Sequence, residues 1–155
     1  MRRLPPLLRR AWFSLNQSFR QRILPLGLTP DQYTILRWLA EAPSNGLTQS
    51  EITQRMASDA NTITATVRRM EAAGLVKRSP HETDGRAKRV QILPPGKTVF
   101  QQAHAQALKL QNGVLSCLTN AESKLFLELL ERVADACSGE TATKSRSPVV
   151  PKEEA

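Results

Sequence analysis

Apolar residues along this chain change period several times, and the changes mark out its elements. From Pro5 to Leu24 they recur at Leu8, Trp12, Leu15 and Phe19, in steps of three and four, which predicts a helix with one buried stripe. Pro6 suits its first turn, and Pro25 with Gly27 ends the pattern. Thr29-Pro30-Asp31-Gln32 reads as a helix start: Thr29 can cap, Pro30 fits the first helical position, and Gln32 can reach back to close a capping box. Ile35, Leu36, Leu39 and Ala40 follow at helical spacing with Trp38 beside them, until Pro43, Asn45 and Gly46 break the helix. Thr48-Gln49-Ser50-Glu51 repeats the capping-box pattern before a short helix through Ile52 and Met56. Asp59 can cap a third helix, which carries Ile63, Val67 and Met70 on one face and stops at Gly74.

The period then drops to two. Leu75-Val76-Lys77-Arg78-Ser79 and Lys88-Arg89-Val90-Gln91-Ile92-Leu93 flank a turn-rich stretch, His81-Glu82-Thr83-Asp84-Gly85-Arg86, which predicts a β-hairpin with a long loop. A long helix follows from Pro95 to about Leu118. Phe100, Ala103, Ala107, Leu110, Val114 and Cys117 form a coiled-coil-like seam on it, weakened locally by Gly113. Thr119-Asn120-Ala121-Glu122 is a third capping box, ahead of a last helix with Leu125, Phe126, Leu129, Leu130 and Val133 that Gly139 can end. The aperiodic Ser-, Thr-, Pro- and charge-rich stretch from Glu140 to Ala155 predicts a disordered tail. No internal repeat is present.

The chain of 155 residues is long enough for one domain with a real core. Its net charge of +8 favours an anionic partner without saying which. The distribution says more. No acidic residue precedes Asp31, whereas Arg2, Arg3, Arg9, Arg10, Arg20 and Arg22 all do, and a second basic stretch runs from Arg68 to Arg89. The first set falls largely between the stripe positions; a solvated charged face accounts for it, and phosphate contact is the other reading. Arg9 and Arg10 interrupt the N-terminal apolar run too early for a signal peptide. No apolar run approaches the roughly 20 residues of a membrane span. The expectation is therefore a cytoplasmic protein with no membrane partner. Two cysteines, Cys117 and Cys137, make no disulfide framework and are expected as buried, inert thiols.

Two capped helices, a glycine stop and a basic hairpin together describe a winged helix-turn-helix from about Thr48 to Leu93. In that arrangement the second helix lies in the major groove of DNA. Here it spans about Ala60 to Ala73. With Ile63, Val67 and Met70 buried, Asn61, Ala65 and Arg68 point the opposite way, with Thr62, Thr64 and Arg69 on the flanks. Small residues let the backbone enter the groove, Asn61 and Thr62 can bond base edges or phosphates, and Arg68 or Arg69 can reach a guanine or the backbone. Seen alone, such a helix is more often a plain surface helix; the conjunction of signals carries the reading.

Residues Leu28 to Phe100 resemble the MarR family of bacterial regulators. The matching segments are Leu28-Thr29-Pro30-Asp31-Gln32-Tyr33, Leu47-Thr48-Gln49-Ser50-Glu51-Ile52 and Asp59-Ala60-Asn61-Thr62-Ile63-Thr64, then Met70-Glu71-Ala72-Ala73-Gly74-Leu75-Val76 and Asp84-Gly85-Arg86. The resemblance implies a homodimer on a pseudo-palindromic operator of double-stranded DNA, with the wing arginine, here Arg86, in the minor groove. Narrow minor grooves attract arginine, an independent reason for that role. Lys88 and Arg89 would be phosphate contacts. Asp84 either braces the wing or simply forms its turn. One departure stands out: the family usually shows a leucine, a threonine cap and a glycine after the wing. This chain has Leu93-Pro94-Pro95-Gly96, and proline cannot supply a side-chain cap, which implies an altered start to the long helix.

The expected organisation is an N-terminal dimerisation helix over 1–27, the winged domain over 28–94, C-terminal dimerisation helices over 95–139 and the tail over 140–155. The fold is mainly α with a small β-hairpin wing. Dimerisation also has a physical reason, because the apolar outer helices would otherwise stay exposed; packing within one chain is the alternative. The resemblance further suggests a small-molecule effector site, for which Trp12, Phe19, Tyr33, Trp38 and Phe100 are candidate linings, although aromatics at helical spacing are more often core. Nothing indicates an enzyme, a cofactor or a metal: His81 and His104 have no ligand-spaced companions, and His104 reads as a surface or packing residue. Three functions stay open: a ligand-responsive repressor, a constitutive DNA-binding protein without effector, and a winged-helix protein–protein adaptor.

Overall fold

The computed structural model describes residues 3–85 and 87–144. These divide into two compact units, Met1–Gln111 and Asn112–Ala155.

Helix α1 (Leu4–Ile23) has prolines in its first turn and continues into a short 3-10 turn, Leu24–Leu26, that ends at Gly27. Only its far end reaches the core. Ile23 is fully buried and Phe19 packs partly against the core cluster, whereas Leu8, Trp12 and Leu15 are exposed. The expected buried stripe is thus corrected for the single chain, because the rest of the first unit meets α1 at its C-terminal turns.

Helix α2 (Pro30–Glu41) starts on the capping box read from its sequence: the Gln32 amide donates to Thr29 Oγ1 at 3.2 Å and the Thr29 amide donates to Gln32 Oε1 at 3.0 Å. It buries Tyr33, Ile35, Leu36 and Leu39, while Ala40, expected on the same face, is exposed. Helix α3 (Gln49–Met56) starts on the Thr48–Glu51 box, and α4 (Ala60–Ala72) on Asp59. Between them Ala57 adopts a left-handed conformation. Ile52 of α3 and Ile63, Val67 and Met70 of α4 enter one core with Leu36 and Val90. Burying an aliphatic side chain of this size stabilises the fold by about 1.5–3 kcal/mol.

The hairpin strands are β2 (Val76–Pro80) and β3 (Lys88–Ile92), paired antiparallel with Arg78 opposite Val90. A two-residue strand, β1 (Leu47–Thr48), adds to the other edge of β3, with Leu47 opposite Val90, so the order is β1-β3-β2. Two residues are too few to show a period, which is why β1 was not legible. Gly46, just before it, sits so close to β3 that a Cβ there would drive into the Val90 carbonyl oxygen.

Helix α5 (Pro94–Leu115) begins at the first of the two prolines. Leading prolines have no amide hydrogen, so two of the donors a cap would satisfy are missing at the outset. The Leu93 carbonyl accepts the Lys97 amide at 3.0 Å and the Leu93 amide donates to Leu75 O at 2.9 Å. Gly96 is demanded by that approach, since a Cβ would strike the Leu75 carbonyl. Within the first unit, Ala103 and Leu110 are buried as the seam predicts. The seam does not continue: α5 stops at Leu115, Val114 is exposed, and Cys117 lies beyond the helix.

Helix α6 (Asn120–Lys144) belongs to the second unit and opens on the third capping box, with the Glu122 amide donating to Thr119 Oγ1 at 3.3 Å. Gly139 does not end it. A helix-interior glycine costs only about 1 kcal/mol, and the helix runs on to Lys144 through the first residues of the expected tail. The rest of that tail, 145–155, lies outside the described residues. Leu125, Phe126, Leu127 and Leu129 are exposed. Both cysteine side chains are exposed as well, which corrects their reading as buried thiols.

Candidate nucleic-acid interface

Helix α4 separates into two faces. Ile63, Val67 and Met70 are buried as expected, together with Thr66, whose hydroxyl is satisfied by donating to Thr62 O at 2.9 Å. Asn61, Thr62, Ala65, Arg68 and Arg69 are exposed on the remaining surface. Thr64 is half-buried and accepts a hydrogen bond from Gln49 Nε2 of α3 at 3.1 Å, a partner the sequence reading did not anticipate. Asp59 fixes the N-terminal turn: its carboxylate accepts the Thr62 amide at 2.9 Å and the Thr62 hydroxyl at 2.6 Å. Those bonds, the hydroxyl's first, hold the Asp59 carboxyl below its ordinary range. With its hydrogen committed to the cap, the Thr62 hydroxyl can face outward only as an acceptor. The Arg69 guanidinium curls back, its Nε donating to Ala65 O at 3.3 Å.

The wing stands beside this face. A cleft of about 500 Å³ separates it from the N-terminal ends of α3 and α4, with Gln49, Ser50, Thr64, His81, Asp84 and Lys88 among its walls. The Asp84 carbonyl accepts the Ala87 amide at 3.0 Å. Lys88 is exposed. Arg89 is not placed like it. Arg89 is half-buried, with Nη2 donating to His81 Nε2 at 3.0 Å and Nη1 donating to Gly46 O at 3.4 Å. Arg86 lies outside the described residues.

Glu71, near the end of α4, anchors the first wing strand through Arg78, another pair with no periodic signature in the sequence. Glu51 is held below the ordinary carboxylate range by its backbone and side-chain bonds to Thr48, with smaller contributions from Arg89 and Arg55.

Three of the five candidate ligand-lining aromatics come together. Phe19 and Tyr33 meet edge to face at 4.8 Å between centroids, and Tyr33 stacks on Phe100 at 5.7 Å. His104 completes the group, stacked on Phe100 at 5.5 Å with Nδ1 3.1 Å from the Tyr33 hydroxyl. Burial pushes the Tyr33 phenol above its ordinary range, with Arg37 opposing and Glu41 adding to the effect. At these separations the rings contact one another as packed core rings do. The two tryptophans lie apart: Trp12 is 65% exposed, and Trp38 is flanked by the Arg55 and Arg37 guanidiniums at 5.1 and 5.8 Å.

Among the described residues no cluster of three or more His, Cys, Asp or Glu could hold a metal ion, and no helix is long and apolar enough to cross a membrane.

A capped helix pair joined by a short turn, followed by a hairpin on a three-stranded sheet, defines a winged helix-turn-helix domain. Comparison with known proteins places it more closely. The MarR family model matches residues 26–87. A probable transcriptional regulator from Pseudomonas aeruginosa, solved by crystallography, is 30% identical, with 84% of this chain and 96% of that one covered and a TM-score of 0.75. The HTH-type transcriptional repressor Rv2887 of Mycobacterium tuberculosis is 27% identical over 127 residues, 82% of this chain and 90% of that protein. The S. aureus MepR chain, in a MepR–DNA complex, shares the fold with a TM-score of 0.79 at 19% identity, covering 88% of this chain and 99% of its own. The chain belongs to the MarR family of transcriptional regulators. Its named relatives are regulators, not enzymes.

Proposed function

We propose that this regulator is a homodimeric, ligand-responsive repressor that binds a pseudo-palindromic operator. The observation that carries the reading is the exposed face of α4, where Asn61, Thr62, Ala65, Arg68 and Arg69 stand opposite the buried Ile63, Val67 and Met70. Such a face is narrow enough for the major groove and holds both hydrogen-bonding and cationic groups. Lys88, exposed on the wing, is suited to a phosphate, and Arg86 is assigned to the minor groove from the family resemblance. Exposed Leu7, Leu8, Trp12 and Phe13 on α1, and Leu125, Phe126 and Leu129 on α6, support a dimer, since apolar surface of this extent is seldom left to water. The repressor role is supported by the name of the mycobacterial relative.

Selection of bound sequences from a random oligonucleotide pool tests the reading. The expected product is a two-fold symmetric site, with affinity falling steeply as salt rises. Recovery of no sequence preference would overturn it in favour of a protein–protein adaptor. Phe19, Tyr33, Phe100 and His104 contact one another as core rings do, which favours a second reading, constitutive DNA binding with no effector. A screen of small molecules for thermal stabilisation separates the two, because a ligand that binds the native state raises its melting temperature.

A further inference from the structure

Arg89 occupies the centre of the sheet. Its strand partners are Thr48 on β1 and Ser79 on β2. Side chains two residues apart along a strand share a face, so Gly46, two before Thr48, and His81, two after Ser79, lie diagonally on the side to which Arg89 points. The guanidinium reaches both: Nη1 donates to Gly46 O at 3.4 Å and Nη2 to His81 Nε2 at 3.0 Å. One half-buried side chain therefore ties the loop before the helix-turn-helix to the base of the wing loop. Beyond His81, the wing loop is closed by the His81 amide on Ala87 O and the Ala87 amide on Asp84 O, both at 3.0 Å.

We propose that Arg89 and His81 are positioning residues for DNA recognition, a staple that sets the wing against α4. The proposal rests on the DNA-binding reading above. Arginine has only donors, so Nε2 must be the acceptor. Nδ1 faces Thr83, 3.2 Å from its Oγ1 and 3.3 Å from its amide nitrogen. Arg89 is thereby distinguished from Lys88: both terminal nitrogens of its guanidinium make a bond within the protein.

The test compares the wild-type chain with His81→Ala, Arg89→Ala and His81→Gln, whose amide oxygen can accept from Arg89. Amide-exchange protection at Ala87, measured without DNA, reads whether the wing-loop turn is held. Protection should be retained in the wild-type chain and in His81→Gln, and lost in the two alanine variants. The ratio of affinities for selected over scrambled DNA should follow the same order, with a drop of about tenfold, the scale of one lost base-pair contact. Equal protection at Ala87 in all four proteins would overturn the staple. Protection that depends on His81 in a protein with no DNA sequence preference would support the staple and overturn the operator-binding reading instead.

Discussion

Glu71 and Arg78 hold the end of α4 to the first strand of the wing by three contacts. The carboxylate accepts the Arg78 amide at 3.0 Å, its Nε at 2.8 Å, and its Nη2 at 2.6 Å. A single acidic side chain thus orients both the backbone and the side chain of β2.

Replacing Glu71 with Gln should lower stability by about 1 kcal/mol, a modest amount because water screens a pair that is a quarter to a third exposed. The Glu71 carboxyl is held below its ordinary range, chiefly by the Arg78 side chain and then by its amide. A depressed carboxyl contributes stability at pH values above its unfolded pKa and loses it as pH falls through the folded one. Urea denaturation across the acid range should show that loss in the wild-type chain and a flatter acid limb in Glu71→Gln.

Gly96→Ala should be among the most damaging small substitutions in the chain. The added methyl meets the backbone carbonyl of Leu75 and the side chain of Ile92, and backbone cannot yield as a side-chain tip can. A cost of about 1–3 kcal/mol is the usual range for overpacking. Gly113→Ala, where nothing lies within reach of the new methyl, should be neutral or stabilising. Thermal melts of the two variants check the contrast.

Arg68→Ala and Lys88→Ala should each weaken DNA binding and make the logarithmic salt dependence shallower by about 0.9 for every phosphate contact removed. Asn61→Ala should act differently, costing about 1–3 kcal/mol on selected DNA and little on scrambled DNA, as expected of a base-edge contact. Titrations over a salt series with both DNAs distinguish the two behaviours. An unchanged preference in Asn61→Ala would remove that residue from base reading.

Trp12→Glu should weaken self-association by about 2 kcal/mol or more, the scale of a buried interface tryptophan. Trp12 is 65% exposed in the single chain, so the change has little to disturb within it. Sedimentation velocity should show a dimer giving way to monomer at micromolar concentration, with circular dichroism unchanged. A variant that remains dimeric would place the interface elsewhere.

Local chemistry was the legible part of this fold. The capping boxes at Thr29, Thr48 and Thr119 are satisfied within four residues of themselves and need no knowledge of the rest of the chain. The buried face of α4 followed from spacing for the same reason. Contacts between residues far apart in sequence were not legible. The pairs Gly46–Arg89, Tyr33–His104 and Gln49–Thr64 exist only because the tertiary fold brings separate elements together, and none has a spacing that would single it out. Arg89 shows the cost most clearly. It reads as one more cation in a basic hairpin, and only strand register reveals that its charge is directed inward. Element ends were missed where a weak breaker met a strong helix, as at Gly139 in α6.

A single residue, Leu93, stands between the last residue of β3 and the first residue of α5. Its amide is bonded to Leu75, and the two prolines after it have φ locked near −65° by their rings. This junction has almost no torsional slack. A rotation of α5 about its own axis is therefore geared directly to β3, the strand that carries Lys88 to the edge of the cleft and Arg89 to the middle of the sheet.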